Sequence, residues 1–136
     1  PGGRAVVSSW APVEDSPLMT LMFGAIRSIE PSWPAPRRDP AGLENPEVLA
    51  AEMRAGGFVD VRIEPHTERV TPPDASTLWA SMVRSSAPLV LLRRRLGETE
   101  WARREPDALQ VLVRGLESGP RELSTSAWLA CGTKGG

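Results

Sequence analysis

Scarcity sets the first limits on this chain. It holds one cysteine, Cys131, so no disulfide can close within it and no cysteine-based metal site can be built. A reducing cytoplasm is the expected compartment. It holds one histidine, His66, hence one side chain whose ordinary pKa lies near neutrality. Neither sign of charge dominates: 16 Lys and Arg against 17 Asp and Glu leave a formal net charge of -1. That balance gives no electrostatic ground for binding nucleic acid or an anionic membrane. No apolar run approaches the ~18 to 20 residues of a membrane span, and no signal-peptide layout opens the sequence. The H-E-x-x-H, P-loop, nucleophile-elbow and zinc-ligand spacings are missing, and no two glycines stand as G-x-G.

Proline and tryptophan are what the chain does have. Fourteen prolines and five tryptophans in 136 residues predict short, sharply punctuated elements anchored by a few large rings. The length suits one domain, 1–136, and 40% hydrophobic with 24% charged residues is ordinary for a globular protein. There is no internal repeat and no low-complexity tract.

Pro1-Gly2-Gly3 is a turn that runs into a first strand, Arg4 to Ser9. Its centre, Ala5-Val6-Val7, is apolar at successive positions, which predicts burial on both faces beneath helices. After a connection from Ala11 to Asp15, Ser16 as N-cap and Pro17 at the first helical position predict a helix to about Ile29. Leu18, Met22, Ala25, Ile26 and Ile29 form its stripe, but Met19, Leu21 and Phe23 carry apolar surface round most of the circumference. Such a helix is either deeply packed or a lid over an apolar pocket. The four prolines between Glu30 and Leu43 predict an ordered loop. Asn45-Pro46 caps a second helix with Val48, Leu49 and Met53 inward, ended by Gly56-Gly57.

Phe58 to about Glu64 reads as a second strand, with Val59, Val61 and Ile63 alternating against Asp60, Arg62 and Glu64. His66 to Thr71, between Pro65 and Pro72-Pro73, reads as an irregular edge. Asp74 or Ser76 caps a helix carrying Leu78, Trp79, Met82 and Val83, and Ser85 to Pro88 breaks it. Leu89 to Leu92 with Arg93-Arg94-Arg95 gives a short helix whose basic end suits its dipole. Trp101, then Pro106 to about Leu116, gives another, stopped by Gly119-Pro120. Glu122 to Cys131 reads as a third strand closed by Gly132.

Three of these stretches together resemble the C-terminal half of a class I S-adenosylmethionine-dependent methyltransferase, of the group that includes ubiquinone-biosynthesis enzymes. Pro1-Gly2-Gly3-Arg4-Ala5-Val6-Val7 is similar to that family's turn into strand five. Met53-Arg54-Ala55-Gly56-Gly57-Phe58-Val59-Asp60-Val61 resembles the helix descending into strand six. Ser126-Ala127-Trp128-Leu129-Ala130-Cys131-Gly132 resembles the antiparallel last strand. The resemblance implies an α/β, Rossmann-like fold with a three-stranded mixed sheet in the order five, seven, six. It also implies helical substrate-side insertions at 13–43 and 72–119. The family holds its methyl donor on a glycine-rich turn after strand one and an acidic residue ending strand two. This chain has neither, so no S-adenosylmethionine is expected to bind it alone, and the missing half would come from elsewhere.

The candidate site residues each admit a plainer reading. Trp10 is a pocket wall or core. Met19, Met22 and Phe23 form a soft face for an irregular organic substrate, or pack in a buried helix. Trp33, in the proline-rich loop, is a further substrate contact or a loop anchor. His66 is a general base for methyl transfer or a solvated edge residue. Cys131 reads as a small buried hydrophobe, and Arg93-Arg94-Arg95 as a helix end before a phosphate clamp. The expected function is the substrate-side portion of a methyltransferase for a small organic molecule, inactive alone. The alternative is a non-catalytic α+β module binding an apolar ligand or partner. In the family, strand five pairs with strand four on its outer side. Without that neighbour, residues 4–9 expose an open edge, which predicts self-association or disorder of residues 1 to about 9.

Overall fold

The computed structural model describes residues 1–119 and 122–136. The order of elements is β1 (Arg4–Trp10), a 3-10 turn (Val13–Asp15), α1 (Pro17–Ile29), α2 (Pro46–Ala55), β2 (Phe58–Val70), α3 (Ala75–Ser85), α4 (Ala87–Leu96), α5 (Glu98–Ser118) and β3 (Leu123–Lys134). The fold is α/β, with one open three-stranded sheet in the order β1-β3-β2. No helix among the described residues is long and apolar enough to cross a membrane. The chain forms two compact units, one of residues 1–17, 37–69 and 124–136, the other of residues 18–36 and 70–123.

The first unit is the sheet with α2. β1 runs antiparallel to β3, with Val7 opposite Ala130 and Trp10 opposite Ala127. Gly135 N–H donates to the Gly57 carbonyl at one end of β2, and Thr67 meets Ser126 at 2.9 Å further along, so β2 is antiparallel to β3 as well. A mixed sheet would need one parallel neighbour pair, and there is none here. α2 starts where expected: the Asn45 side chain accepts from Glu47 N–H, and Pro46 occupies the first turn. At its far end Gly57 takes the left-handed conformation, φ 77°. Leu49 and Met53 from α2 and Ala130 from β3 are the buried core, with Phe58, Val61, Ile63 and Trp128 packed against it.

Three strand expectations are corrected. β1 is not buried on both faces: Val6 is 71% exposed and Val7 42%. It ends a sheet and pairs with β3 on one side, whereas burial of both faces belongs to strands inside parallel sheets. β2 does continue through Pro65 to Val70, in line with the irregular-edge reading of the stretch from His66, and as an edge strand it tolerates the proline. Val59 is exposed, not buried. Phe58, Val61 and Ile63 share the α2 side, and Phe58 and Val61 lie an odd number of residues apart. The extra step falls at Asp60, whose φ is 53°, giving the parity shift of a β-bulge. Gly132 does not close β3 but lies within it, and Glu122 lies outside it. A Cβ at Gly132 would meet Phe58 Cβ at 3.1 Å and Val61 Cγ2 at 3.3 Å, so the bulge is packed against a glycine.

The second unit is helical. Ile26 and Ile29 of α1, Leu78, Trp79 and Met82 of α3, Leu89 and Leu92 of α4, and Trp101, Ala108 and Leu112 of α5 form one continuous core. Asp74 caps α3, its carboxylate accepting from Thr77 N–H at 2.6 Å. Trp79 and Trp101 stack at 5.7 Å between centroids, 11° from parallel, and both indole N–H groups donate to Glu105 Oε1. α5 is longer than its sequence suggests. It starts at Glu98 after Gly97 and carries Pro106 inside it instead of beginning there. Buried Trp101 on one side of the proline and Ala108 and Leu112 on the other hold both halves in the same core. Pro120, the expected stop for this helix, lies outside the described residues.

Candidate functional site

In the second unit, α1 and α3 enclose a cavity of about 350 Å³ closed along one side by the Val70–Pro73 stretch. That volume suits a small organic ligand. α1 presents Leu18, Met19 and Met22 to it, spaced as one helical face, and α3 presents Leu78 and Met82. Met19 and Met22 are both half-buried. Methionine's unbranched chain adapts to an irregular apolar guest.

The same wall carries hydroxyls. Thr77, Ser81 and Ser85 fall on the cavity face of α3, and Ser86 follows at its end. Thr77 Oγ1 donates to Asp74 Oδ2 at 3.1 Å and Ser85 Oγ donates to the Ser81 carbonyl at 2.9 Å, so their protons are committed and their lone pairs remain acceptors. Among the described residues no acidic, basic or imidazole side chain lines the cavity. It is therefore built for a neutral molecule with an apolar body and a polar edge. Burying an ionised group against these methionines would cost far more than one hydroxyl could return.

The expected site residues separate. Met19 and Met22 come together, and α3 adds Met82, which the sequence shows only as a core residue. Phe23 is half-buried but does not line this cavity. Trp33 lines a different concavity of about 490 Å³ with Pro34, Pro88 and Leu91, beside the Arg95–Glu30 ion pair at 2.6 Å. Trp10 belongs to the first unit, at the end of β1, and is 61% exposed. His66 also belongs to the first unit, exposed on β2, its Nε2 2.7 Å from Glu68 Oε1. Residues two apart on a strand share a face, so that partner was available from alternation alone. Cys131 is a half-buried free thiol in β3.

Titration shifts in the second unit serve the scaffold. The bond from the Ser32 hydroxyl, with Arg95 and Arg104 nearby, holds Glu30 below its ordinary value. Arg103 and Arg104 bring Glu100 down to about 2. Of the basic triplet, Arg93 is tied to Glu98 at 2.7 Å and Arg95 to Glu30, which leaves no triple clamp for a phosphate.

The described residues do not form the glycine cradle that the resemblance implies for S-adenosylmethionine. A nucleotide cradle of this kind needs a glycine turn passing from a strand into a helix. The glycines at positive φ are Gly2, before a strand; Gly57, between a helix and a strand; and Gly97, between two helices. None among the described residues opens a helix after a strand. No group of three potential metal ligands occurs among them either. No family model matches the chain, and no curated protein matches it.

Proposed function

We propose that this chain is the acceptor-side portion of an S-adenosylmethionine-dependent methyltransferase, and that the Met19–Met22–Met82 cavity receives a neutral, largely apolar acceptor bearing a hydroxyl. The observation that carries the reading is the sheet. Its last strand lies antiparallel between the first and the second, and the second is entered from α2 through Gly56-Gly57. The central, antiparallel last strand supports the reading, because the resemblance implies that placement for strand seven between five and six, although the sheet is antiparallel throughout and not mixed. The methyl donor would be held by residues outside this chain, because no strand-to-helix glycine turn is present among the described residues to cradle it. Within this chain the work is positional: the methionines exclude water from the acceptor's body and the hydroxyl face of α3 orients its polar edge.

Calorimetry with 2-naphthol as the neutral probe checks the cavity, and S-adenosylmethionine in a parallel titration checks the donor's place. Saturable naphthol binding, weakened at least about tenfold by Met22→Glu, with no binding of S-adenosylmethionine, is expected. Micromolar binding of S-adenosylmethionine by the chain alone would overturn the placement of the donor. Transfer of labelled methyl to a hydroxylated acceptor, once a G-x-G-bearing methyltransferase half is added, tests the activity.

A second reading rests on the uncharged lining of the cavity. A wall without a titratable group supplies no general base, which favours a module that binds an apolar ligand and does no chemistry. Naphthol binding with no methyl transfer under any pairing would select it.

A further inference from the structure

Both ends of β1 show which of its residues face the open edge. Lys134 N–H donates to the Gly3 carbonyl, and Ala11 N–H donates to the Ser126 carbonyl, so Gly3 and Ala11 both turn their backbone groups toward β3. The register between them is unbroken, from Arg4 opposite Thr133 to Trp10 opposite Ala127. By strand alternation the odd-numbered residues bond to β3. The N–H and C=O groups of Arg4, Val6, Ser8 and Trp10 then point away from the sheet. These four residues are also the exposed ones on their face, Val6 at 71% and Trp10 at 61%.

We propose that this edge pairs with β1 of a second copy of the chain, antiparallel and two-fold, with Val7 on the axis. An antiparallel edge bonds best when residues with outward backbone groups face each other. Even-numbered residues must therefore meet even-numbered residues, which excludes Val6 opposite Val7. Three registers remain near the strand's centre. Val6 opposite Val6 leaves Trp10 without a strand partner, since Gly2 at φ 79° has left the strand. Ser8 opposite Ser8 leaves Arg4 without one. Only the register centred on Val7 pairs the whole of β1. It sets Arg4 against the partner copy's Trp10 at both ends, a guanidinium beside an indole, and Val6 against Ser8. It also withdraws the two most exposed apolar side chains of the strand from solvent. A methyltransferase half that supplied a further strand would take this same edge, so the pairing describes the chain without that half.

Sedimentation of the full chain across a concentration series should show a reversible dimer. Ser8→Pro removes an N–H on the open edge and spares the bonds to β3. The two-fold axis makes the loss count twice, so the dimer should weaken by roughly a hundredfold while the helical circular dichroism stays unchanged. A second measurement is independent of how that variant folds. In a Cys131→Ala background, needed because Cys131 stands opposite Val6 in the same sheet, Val7→Cys should cross-link between copies under mild oxidation and Val6→Cys should not. Cα atoms facing each other in a non-hydrogen-bonded pair lie about 4.5 Å apart, within disulfide reach. A chain that stays monomeric at every concentration would overturn the proposal. So would a dimer that survives Ser8→Pro and cross-links through Val6→Cys.

Discussion

The two units achieve their order by different means. The helical unit buries one continuous cluster, with Ile26, Leu89 and Leu112 almost wholly enclosed and a tryptophan stack at its side. The sheet unit encloses few apolar side chains and relies on polar ties. The Trp128 indole donates to the Glu44 carbonyl at 2.8 Å. Buried Ser16 accepts from Ser126 N–H, and Lys134 reaches the Gly56 carbonyl at 2.6 Å while lying over Phe58. The prolines of its loop are fixed the same way: Asp39 N–H donates to Glu44 Oε1, and the Asn45 amide donates to the Pro40 carbonyl. Apolar volume governs one unit, and the satisfaction of backbone groups governs the other. A helix layer can close around side chains from several directions, whereas an open sheet with one helix can do so from one.

Truncation in the helical core should produce the largest loss. Trp101→Ala removes a ring that is 2% exposed, takes the stacking partner from Trp79 and removes one of the two indole donors to Glu105 Oε1. We expect about 3–5 kcal/mol of destabilisation in urea melts. Leu49→Ala in the sheet unit removes one of few enclosed side chains and should cost about 2–4 kcal/mol. Hydrogen exchange followed by segment should place that loss in residues 46–69 and 124–134. Equal deprotection of α3 to α5 would break the distinction between the units.

Gly132→Ala tests the polar unit's backbone fit. The new methyl must press on Phe58 Cβ and Val61 Cγ2, at a cost of about 1–2 kcal/mol. Deleting the bulge residue Asp60 leaves Phe58 and Val61 two apart, so plain alternation keeps both on the α2 side with Val59 outward, and the straightened strand should relieve part of that cost. A double variant no better than the single one would remove the bulge from the explanation.

Acid should give the smallest effect and the clearest contrast. The carboxyls of Glu30, Asp74, Glu98 and Glu100 are all held below their ordinary values, and all lie in the helical unit. A depressed carboxyl stabilises the fold above its unfolded pKa, and that help is lost as pH falls through its folded value. For Glu100 the window runs from about 4.5 down to about 2. Exposed pairs of this kind contribute little each, so protection in α4 and α5, taken relative to the intrinsic exchange rate at each pH, should fall gradually below pH 4.5. Protection lost first in β3 would reverse the comparison.

The helix caps were the most legible features. Asn45-Pro46 and Asp74 each combine a side-chain acceptor with a start signal, and both helices begin where those residues stand. Pro106 was misread because a proline suits a first turn equally well, and only the core contacts around it show that the helix runs through. Burial along β1 and β2 was misread for a related reason. Apolarity shows that a residue can be buried, while exposure depends on which strands lie alongside and on a bulge set by one backbone angle. Of the cavity, Met19 and Met22 could be seen from the excess apolar surface on α1. Its hydroxyl wall could not, because Thr77, Ser81 and Ser85 look like an ordinary wet helix face.

Pro106 has a mechanical consequence for α5. Its ring has no N–H to give the carbonyl four residues earlier, at Ala102, so the ladder of bonds along the helix axis is interrupted there. A 21-residue helix with that gap is two rods in series. The first carries the indole stack, and the second carries Ala108 and Leu112. Strain applied to one rod is passed to the other through side chains in the core, not through the helix axis, so each rod can fray on its own schedule.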